Sequence, residues 1–439
     1  MASNLKLANS SETLLVCHQN SSLVLSNSKF ENGEANAINV SESSITIVNC
    51  KISNIKYPAL YLSNSKVIAK KNQFDNVEQN CISVNECNNF KLEENEITSI
   101  GGSAISIMDE SSGTITNNVI SNYGGNGIFV SKSSNVVAKC NELLGGKYPG
   151  IAILIDSKAE LINNKIYRSE FSGICVRGAN NVLIDSCSIS NSSECGISIS
   201  DTKKCIIKNN KFEKCNYSII ESYNRSNVIF ENNEANNIGQ FGFLVFSRGT
   251  IEATNNKISN VDTLAKLSYR GSAIITNNQV KNCKKQSICE TSGKYLFKNN
   301  GNFSPCTNDP TIANENNIKV DPPFEEIHLC LKCKKNKRTH FLMKCGHFVY
   351  CSECAKSALK NNECCPLCRF PIDSISPGYE SAEDNKCVIC LENEADCVIV
   401  PCSHLGYCEE CLIQWFKRNQ TCPTCRNSSM SFIKIQRDV

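Results

Sequence analysis

Residues 163–166 read Asn-Asn-Lys-Ile, and this pattern returns through the first 300 residues at an almost constant interval. The second residue of the pair serves as a reference position. From Asn72 to Asn256 it recurs every 23 residues, and the two steps at each end of the series are 22 residues long. The whole series is Ser28, Cys50, Asn72, Asn95, Asn118, Asn141, Asn164, Cys187, Asn210, Asn233, Asn256, Asn278 and Asn300. A period kept over so many positions indicates stacked units, each too small to bury its own apolar face.

Each repeat contains three short segments in which apolar and polar residues alternate, as in residues 150–155, 159–162 and 165–167. Alternation with period two and a high content of Ile and Val are typical of strands. A leucine-rich repeat, the competing solenoid, would need a Leu-rich consensus and a helical segment, which these repeats lack. Three strands per repeat predict the coils of a parallel β-helix, and parallel crossovers are overwhelmingly right-handed. We therefore expect an all-β fold in which residues 1–304 form a right-handed parallel β-helix of about 13 coils, each of 22–23 residues.

The reference asparagines have a structural explanation. Asn tolerates the left-handed backbone of a tight corner, and its amide can hydrogen-bond to the copies stacked above and below. Cysteines of the array, such as Cys140, Cys175 and Cys205, are expected to pack as small buried hydrophobes rather than to form disulfides. Residues 1–19 are expected to cap one end of the stack, because a stacked β-structure exposes pairing edges.

The composition limits the possible partners. A formal net charge of +3 over 439 residues argues against nucleic acid as the main partner. Residues 1–15 lack the basic start and apolar run of a signal peptide, and no apolar stretch is long enough to span a membrane. We therefore expect no membrane association and a location in the cytoplasm or the nucleus.

The last 110 residues contain two clusters of metal-ligand residues with identical spacing. The first cluster is Cys330, Cys333, Cys345, His347, Cys351, Cys354, Cys365 and Cys368. The second, with every member 57 residues further on, is Cys387, Cys390, Cys402, His404, Cys408, Cys411, Cys422 and Cys425. Paired C-x-x-C motifs with one histidine suit two tetrahedral zinc ions per cluster, four in all. Segments this short bury little core, so the metal is expected to supply folding free energy.

These clusters closely resemble RING fingers, and residues 387–408 with 422–426 resemble the RINGs of the inhibitor-of-apoptosis proteins and their relatives. The β-helix repeats separately resemble those of pectin-lyase-like and carbohydrate-binding or sugar-hydrolase domains. The RING resemblance implies a cross-brace, in which ligands one, two, five and six share one zinc and the other four share the second. The expected division of the chain is 1–304 for the β-helix, 305–328 for a linker, 329–373 for the first RING, 374–385 for a linker, 386–429 for the second RING and 430–439 for a tail.

The resemblance also implies a role in ubiquitin transfer. RING domains generally bind a charged ubiquitin-conjugating enzyme and position its thioester for attack by a substrate lysine, with no covalent intermediate on the RING. The family grips the enzyme through positions that in the second RING are Ile389, Trp415 and Pro423. The family position that contacts both ubiquitin and the enzyme is occupied by Arg426.

The first RING departs from that pattern. Lys332 replaces the aliphatic residue and Ala358 stands where Trp415 would, although Pro366 and Arg369 are kept. We therefore expect the second RING to be active and the first to be structural or dimerising. A short apolar stretch in the tail is the kind of strand through which several relatives dimerise, so a homodimer through the RINGs is a further expectation.

Two hypotheses of different classes follow. In the first, the chain is a RING-type ubiquitin ligase whose partners are a conjugating enzyme, ubiquitin, and a protein or glycan-bearing substrate selected by the β-helix. In the second, it is a non-catalytic zinc-binding scaffold with a β-helix interaction surface. The array is not predicted to cleave sugars, because it has neither an Asp-Asp pair nor a Gly-His-Gly motif. One candidate recognition surface carries Tyr148, Phe171 and Tyr217 at a common 23-residue spacing, interrupted by Glu194.

Overall fold

The structure is a computed structural model that divides into two compact units, residues 1–319 and 320–439. It describes residues 1–291, 293–303, 306–307, 330–333, 335–336, 340–342, 347–366, 372, 375–377, 387, 389–390, 397–400, 405–416 and 431–434. None of the helices among these residues is long and apolar enough to cross a membrane.

The first unit is a parallel β-solenoid of about 13 turns, and most turns contribute one strand to each of three faces. The strands of the first face are Ala2–Ser3, Ser22–Ser26, Ser44–Val48, Lys66–Lys70, Asn88–Glu93, Ser112–Thr116, Asn135–Lys139, Lys158–Ile162, Asn181–Asp185, Lys204–Lys208, Asn227–Glu231, Thr250–Thr254, Ser272–Thr276 and Tyr295–Lys298. Those of the second are Lys6–Ser10, Lys29–Gly33, Lys51–Ile55, Gln73–Val77, Glu96–Ile100, Val119–Tyr123, Glu142–Gly146, Lys165–Ser169, Ser188–Ser190, Lys211–Glu213 and Glu234–Asn236. Those of the third are Leu15–Cys17, Ile38–Ser41, Leu60–Ser63, Ile82–Asn85, Ile105–Met108, Ile128–Val130, Ile151–Leu154, Ile174–Arg177, Ile197–Ser200, Ser218–Tyr223 and Phe241–Val245.

The second and third faces merge near the C-terminal end of the solenoid. Lys257–Ser268 and Gln279–Glu290 are long strands that run through the corner between the two faces. The short strand Cys306–Thr307 then pairs antiparallel with Tyr295–Lys298, against the parallel direction of the rest of the first face. The all-β class and the parallel β-helix predicted from the repeat are thus confirmed.

The core consists of the apolar residues that point into the solenoid at every turn. Residues two positions after the reference asparagine, such as Ile97, Ile120 and Ile166, are buried almost completely. The register pairs each of them with its equivalent in the next turn, as Ile97 pairs with Ile120. Side chains of equal type therefore stack on one another, and the period of the sequence becomes the period of the core.

The left-handed corner conformation and the stacked amide, both predicted for the second residue of the Asn-Asn pair, are divided between its two residues. The first residue takes the left-handed conformation, with φ of 53° at Asn163 and 57° at Asn209. The second residue is buried and forms the amide ladder: Asn95 Nδ2 donates to Asn118 Oδ1 at 2.9 Å and to the carbonyl oxygen of Ala69 at 2.9 Å. The prediction of a stacked amide is confirmed, whereas the corner conformation belongs to its neighbour.

Most described cysteines of the array are buried as expected, but Cys175, Cys283 and Cys289 are only partly buried and Cys140 is not buried at all. Cys187 and Cys205 are buried, and burial raises the pKa of Cys187 to about 11 and that of Cys205 to about 12. Such thiols stay protonated and act as small apolar groups. Cys140 is exposed instead, because it occupies the left-handed corner position with φ of 55° and its side chain points outward.

Residues 1–19 also differ from the expectation of a separate cap. Their three strands pair parallel with the three strands of the second turn, as the later turns pair with one another, so the segment is itself the first turn. Its apolar residues Leu5, Leu7 and Leu14 are partly buried against the core, which explains why the polar sequence still adopts the coil.

The second unit contains two small domains of the same layout. In the first, strands His340–Leu342 and His347–Tyr350 pair antiparallel, Ile375–Pro377 adds a third strand, and helix α1 spans Ser352–Lys360. In the second, Cys397–Val400 pairs with Leu405–Tyr407 and with Ser431–Lys434, and helix α2 spans Glu409–Phe416. The third strand of each domain comes from a stretch that the sequence assigns to a linker or to the tail.

Candidate functional site

The first four-sulfur set consists of Cys330, Cys333, Cys351 and Cys354, whose Sγ atoms all lie within 4.8 Å of one another. Cys330 and Cys333 lie in a tight turn, in which the Cys330 N–H donates to the carbonyl oxygen of Asn336 at 2.7 Å. Cys351 precedes α1 and Cys354 lies in its first turn, so the start of the helix brings this pair to the loop pair.

The second four-sulfur set repeats this arrangement with Cys387, Cys390, Cys408 and Cys411. Cys408 and Cys411 stand at the start of α2 as their counterparts do at α1. Both sets are the groups that the cross-brace expectation assigns to one ion each, and the structure brings the four sulfurs of each set together.

The spacing of the sulfur atoms fits a tetrahedral metal. Four sulfurs placed 2.3 Å from a central zinc would be about 3.8 Å apart. The Sγ atoms of Cys333 and Cys351 are 3.9 Å apart, and those of Cys390 and Cys408 are also 3.9 Å apart. Each set can therefore hold a zinc-sized ion.

The acidity of these thiols points to the same chemistry. N–H groups of Asn336 and Lys335 lower the pKa of Cys333 to about 6. Burial opposes ionisation of Cys387, but backbone N–H groups of Cys390 and Cys408 outweigh it and lower the pKa to about 6. In contrast, burial and the neighbouring sulfurs raise the pKa of Cys354 to about 12. The negative charge of one thiolate opposes ionisation of the other thiols in its set. A divalent metal would remove this repulsion, so each set is suited to bind one.

The remaining predicted ligands are only partly described. Cys365 is buried in the first domain, and His347 belongs to a strand whose backbone pairs with His340–Leu342. The other six predicted ligands lie outside the described residues: Cys345, Cys368, Cys402, His404, Cys422 and Cys425.

Two of the four positions expected to contact a conjugating enzyme are described. Ile389 lies between the two loop cysteines of the second domain and is 43% exposed. Trp415 lies in the last turn of α2 and is partly exposed, three residues after the fully buried Leu412. Pro423 and Arg426 lie outside the described residues. An exposed aliphatic side chain therefore lies between two cysteines of the second sulfur set, and a partly exposed aromatic side chain lies four residues after a third, Cys411, on α2.

The first domain has a charged pair at the corresponding place. Lys332 Nζ lies 2.6 Å from Glu363 Oε1, and each side chain is about one-third exposed. The hydrogen bond from Lys332 lowers the pKa of Glu363. Ala358, the counterpart of Trp415, is fully buried. Glu363 belongs to no metal-ligand motif. Its signal in the sequence is the 57-residue spacing of the two copies, which pairs charged Lys332 and Glu363 with uncharged Ile389 and Gln420.

The candidate recognition surface of the β-helix is only partly continuous. The rings of Tyr148 and Phe171 stack with centroids 5.5 Å apart and an interplanar angle of 7°. Tyr217 instead packs edge-on against Phe241 at 5.6 Å, beyond the interruption at Glu194. The column therefore forms two aromatic contacts rather than one uninterrupted strip.

Known protein families match both parts of the chain. A family model described as a right-handed β-helix region matches residues 13–158, 115–258 and 149–303. A model described as a C3HC4-type zinc finger, or RING finger, matches residues 326–375 and 383–432. Among solved structures, the catalytic unit of an α-1,3-glucanase from Streptomyces thermodiastaticus gives a TM-score of 0.43 at 12% identity, over 66% of this chain and 59% of that one.

Curated relatives match only a short part of the chain. Apoptosis inhibitor 1 of the Orgyia pseudotsugata multicapsid polyhedrosis virus is 38% identical over 60 residues, 14% of this chain and 21% of the relative. A putative E3 ubiquitin-protein ligase of Arabidopsis thaliana, XBAT34, is 35% identical over 69 residues, 16% of this chain and 18% of the relative. The chain thus spans about a fifth of the length of these relatives. Because the β-helix model covers well over half of the sequence, the chain belongs to the right-handed β-helix proteins, and it carries two C3HC4 RING fingers after the helix.

Proposed function

We propose that this protein is a RING-type ubiquitin ligase. The second finger recruits a charged ubiquitin-conjugating enzyme, and the β-helix holds the target whose lysine receives ubiquitin. The observation that carries the proposal is made in the second finger, where exposed Ile389 lies between two cysteines of the four-sulfur set and partly exposed Trp415 lies one helical turn after a third, Cys411. The similarity to relatives named as ubiquitin ligases supports it.

Each finger is proposed to hold two zinc ions, one in the described four-sulfur set and one in the other four ligands. Bound zinc supplies structural stabilisation, since it links loop and helix segments that bury few apolar residues. In the second finger that small core consists of Cys397, Ile399, Tyr407 and Leu412, with Phe416 packed beside it. The finger itself forms no bond to ubiquitin; it holds the conjugating enzyme so that the thioester meets the substrate amine.

Ile389 and Trp415 are proposed to contact the conjugating enzyme, together with Pro423, and Arg426 to contact both ubiquitin and the enzyme. Exposed aliphatic and aromatic side chains are suited to such an interface because their burial on binding is favourable and costs no charge desolvation. The first finger lacks the aliphatic and aromatic residues at the matching places, so we assign transfer to the second finger.

The β-helix is proposed to bind the target along its side, since a solenoid offers a long ordered surface. The stacked Tyr148 and Phe171 are the part of that surface we assign to recognition. We further propose that the protein works away from membranes, in the cytoplasm or the nucleus, and that two copies associate through the fingers.

The test is ubiquitin-chain formation by the full chain with a panel of conjugating enzymes. Ile389→Ala and Arg426→Ala should each lower the rate about tenfold or more, the usual loss when a central interface residue is truncated. Ile413→Ala is the matched control, because Ile413 is also 43% exposed but lies two residues before Trp415 on α2, about 200° around the helix from it. Metal content is measured for every variant.

Loss of chains in both test variants, with zinc retained and the control active, would support the ligase. Failure of the wild-type chain with every enzyme in the panel would contradict it. That failure would favour the alternative function, a zinc-binding scaffold whose fingers assemble complexes without transferring ubiquitin. Capture of a target by the full chain, and its loss in Tyr148→Ala, would test the assignment of the β-helix under either function.

A further inference from the structure

The first finger carries an ion pair where the second finger carries an apolar surface. Lys332 stands at the position of Ile389, directly before the second cysteine of its loop pair. Its Nζ atom lies 2.6 Å from Glu363 Oε1. Residue 420, the equivalent of Glu363 in the second finger, is Gln, so the second finger has neither charge at these two places.

Glu363 is held in place by the turn that ends α1. Its N–H donates to the carbonyl oxygen of Ala358 at 2.9 Å, and its carbonyl oxygen accepts from the N–H of Ile372 at 3.0 Å. The amide of Asn361 also approaches Glu363 Oε1 at 3.4 Å. The main chain of Glu363 is therefore fixed and its carboxylate is approached by the Asn361 amide, which lowers the entropy that the ion pair loses on forming.

We propose that the Lys332–Glu363 ion pair excludes a conjugating enzyme from the first finger, so that these two residues determine which of the two fingers transfers ubiquitin. This proposal rests on the proposed function. It adds that the first finger not only lacks the apolar contacts of the second but also carries a charged pair that opposes binding of the enzyme. A partner surface that buries an aliphatic residue in the second finger would here have to desolvate both charges or separate them. The absence of an aromatic side chain at Ala358 removes the contact that would offset this loss.

The first arm of the test removes the ion pair from the first finger. In the full chain, Ile389→Ala disables the second finger, and Lys332→Ile with Glu363→Gln is added to give the first finger the residues of the second. Chain formation is expected to rise at least several-fold over Ile389→Ala alone. Lys335→Ile is the matched control, because Lys335 is an exposed lysine of the same loop.

The second arm introduces the ion pair into the second finger. Ile389→Lys with Gln420→Glu should lower chain formation at least several-fold below that of Ile389→Ala, which lacks the aliphatic contact but carries no ion pair, while metal content stays unchanged. Ile413→Lys places the same charge on an equally exposed isoleucine of α2 and should leave chain formation near the wild-type rate. This arm does not depend on repacking the buried Ala358, at which a tryptophan could disrupt the fold.

The outcomes separate the two proposals. A gain in the first arm with loss in the second supports the ion pair as the determinant. Ala358→Trp is also added to Lys332→Ile and Glu363→Gln in the Ile389→Ala background. If the wild-type chain is active and zinc is retained, but chains form neither with the two changes nor with all three, the ion pair is not the barrier. A wild-type chain inactive with every enzyme removes the proposed function, and the inference with it.

Discussion

The side-chain amide of Asn164 points at the Sγ atom of Cys187, 3.8 Å away. Cys187 is the one member of the buried ladder between Asn72 and Asn300 that is not an asparagine. Elsewhere an amide oxygen fills this place: Asn118 Oδ1 accepts from both the N–H and the Nδ2 of Asn95, at 3.0 and 2.9 Å. Sulfur is a weaker acceptor than a carbonyl oxygen, so the ladder is weakest at this turn.

Cys187→Asn is therefore expected to stabilise the β-helix. The new Oδ1 would accept from the N–H and the side-chain amide of Asn164, and a buried hydrogen bond of this kind adds about 1 kcal/mol. The free energy of unfolding is measured by urea denaturation. Asn118→Ala should act in the opposite direction by about 1–3 kcal/mol, because it removes the acceptor of the buried Asn95 N–H and one of the two acceptors of the Asn95 side-chain amide. A destabilising Cys187→Asn would indicate that the corner cannot accommodate the larger side chain.

Two neighbouring residues of strand Lys204–Lys208 should respond very differently to the same change. Ile207 points inward and is fully buried, whereas Ile206 points outward beside Leu183 and Ile229. Ile207→Ala is expected to lower the free energy of unfolding by about 2–5 kcal/mol through the cavity it creates. Ile206→Ala should cost less than about 1 kcal/mol, as a surface change does. Equal effects at the two positions would contradict the register of the strand.

The glycine column before the third face should not tolerate a side chain. A Cβ atom on Gly173 would lie 2.4 Å from Ile189 Cγ2 and 3.0 Å from the carbonyl oxygen of Gly196. Gly173→Ala is expected to lower the melting temperature, with a cost of about 1–3 kcal/mol from overpacking. Gly145→Asn is the control: Gly145 has φ of 67° in a column where Asn122 has φ of 53°, and the nearest contact of a Cβ would be 3.8 Å. That change should be close to neutral.

The repeat predicts most of the β-helix because the period of the sequence equals the number of residues in one turn. A residue such as Ile120 stacks on its own equivalent, Ile97, so spacing alone gives both the neighbour and the inward face. The loop-and-helix sulfur sets are predictable for a related reason: their ligands lie in short motifs whose spacing is fixed by metal geometry.

Other features depend on details that a one-dimensional pattern does not contain. The pair Asn163-Asn164 looks like one repeated motif, yet only Asn163 takes the positive φ and only Asn164 enters the ladder. Which of two identical residues turns the corner is set by the backbone of the coil. The Lys332–Glu363 ion pair joins residues 31 positions apart and becomes visible only when the finger is folded.

Removing the metal should affect the two units separately. The β-helix holds its own apolar core and amide ladder, whereas the fingers bury little, so chelation is expected to abolish the tertiary structure of the fingers alone.

Acid should destabilise the metal sites of the fingers as well. The pKa of Cys387 is lowered from 9.0 to about 6 in the folded finger, so the stabilisation from its thiolate is complete above pH 9 and is lost as the pH falls through 6. Zinc release, followed with a chromophoric indicator, should therefore increase as the pH falls from 8 to 5.

Two adjacent cysteines provide the control for this prediction. Cys365 is a predicted ligand and is fully buried, whereas Cys364 beside it belongs to neither cluster and is partly exposed. Cys365→Ser should lower the zinc content of the purified chain by about one ion, because a structural site needs all four ligands. Cys364→Ser should keep the full zinc content and the same pH profile. If the two variants lose metal equally, the assignment of Cys365 to the second site of the first finger is wrong, and the loss reflects a general loss of structure in that finger.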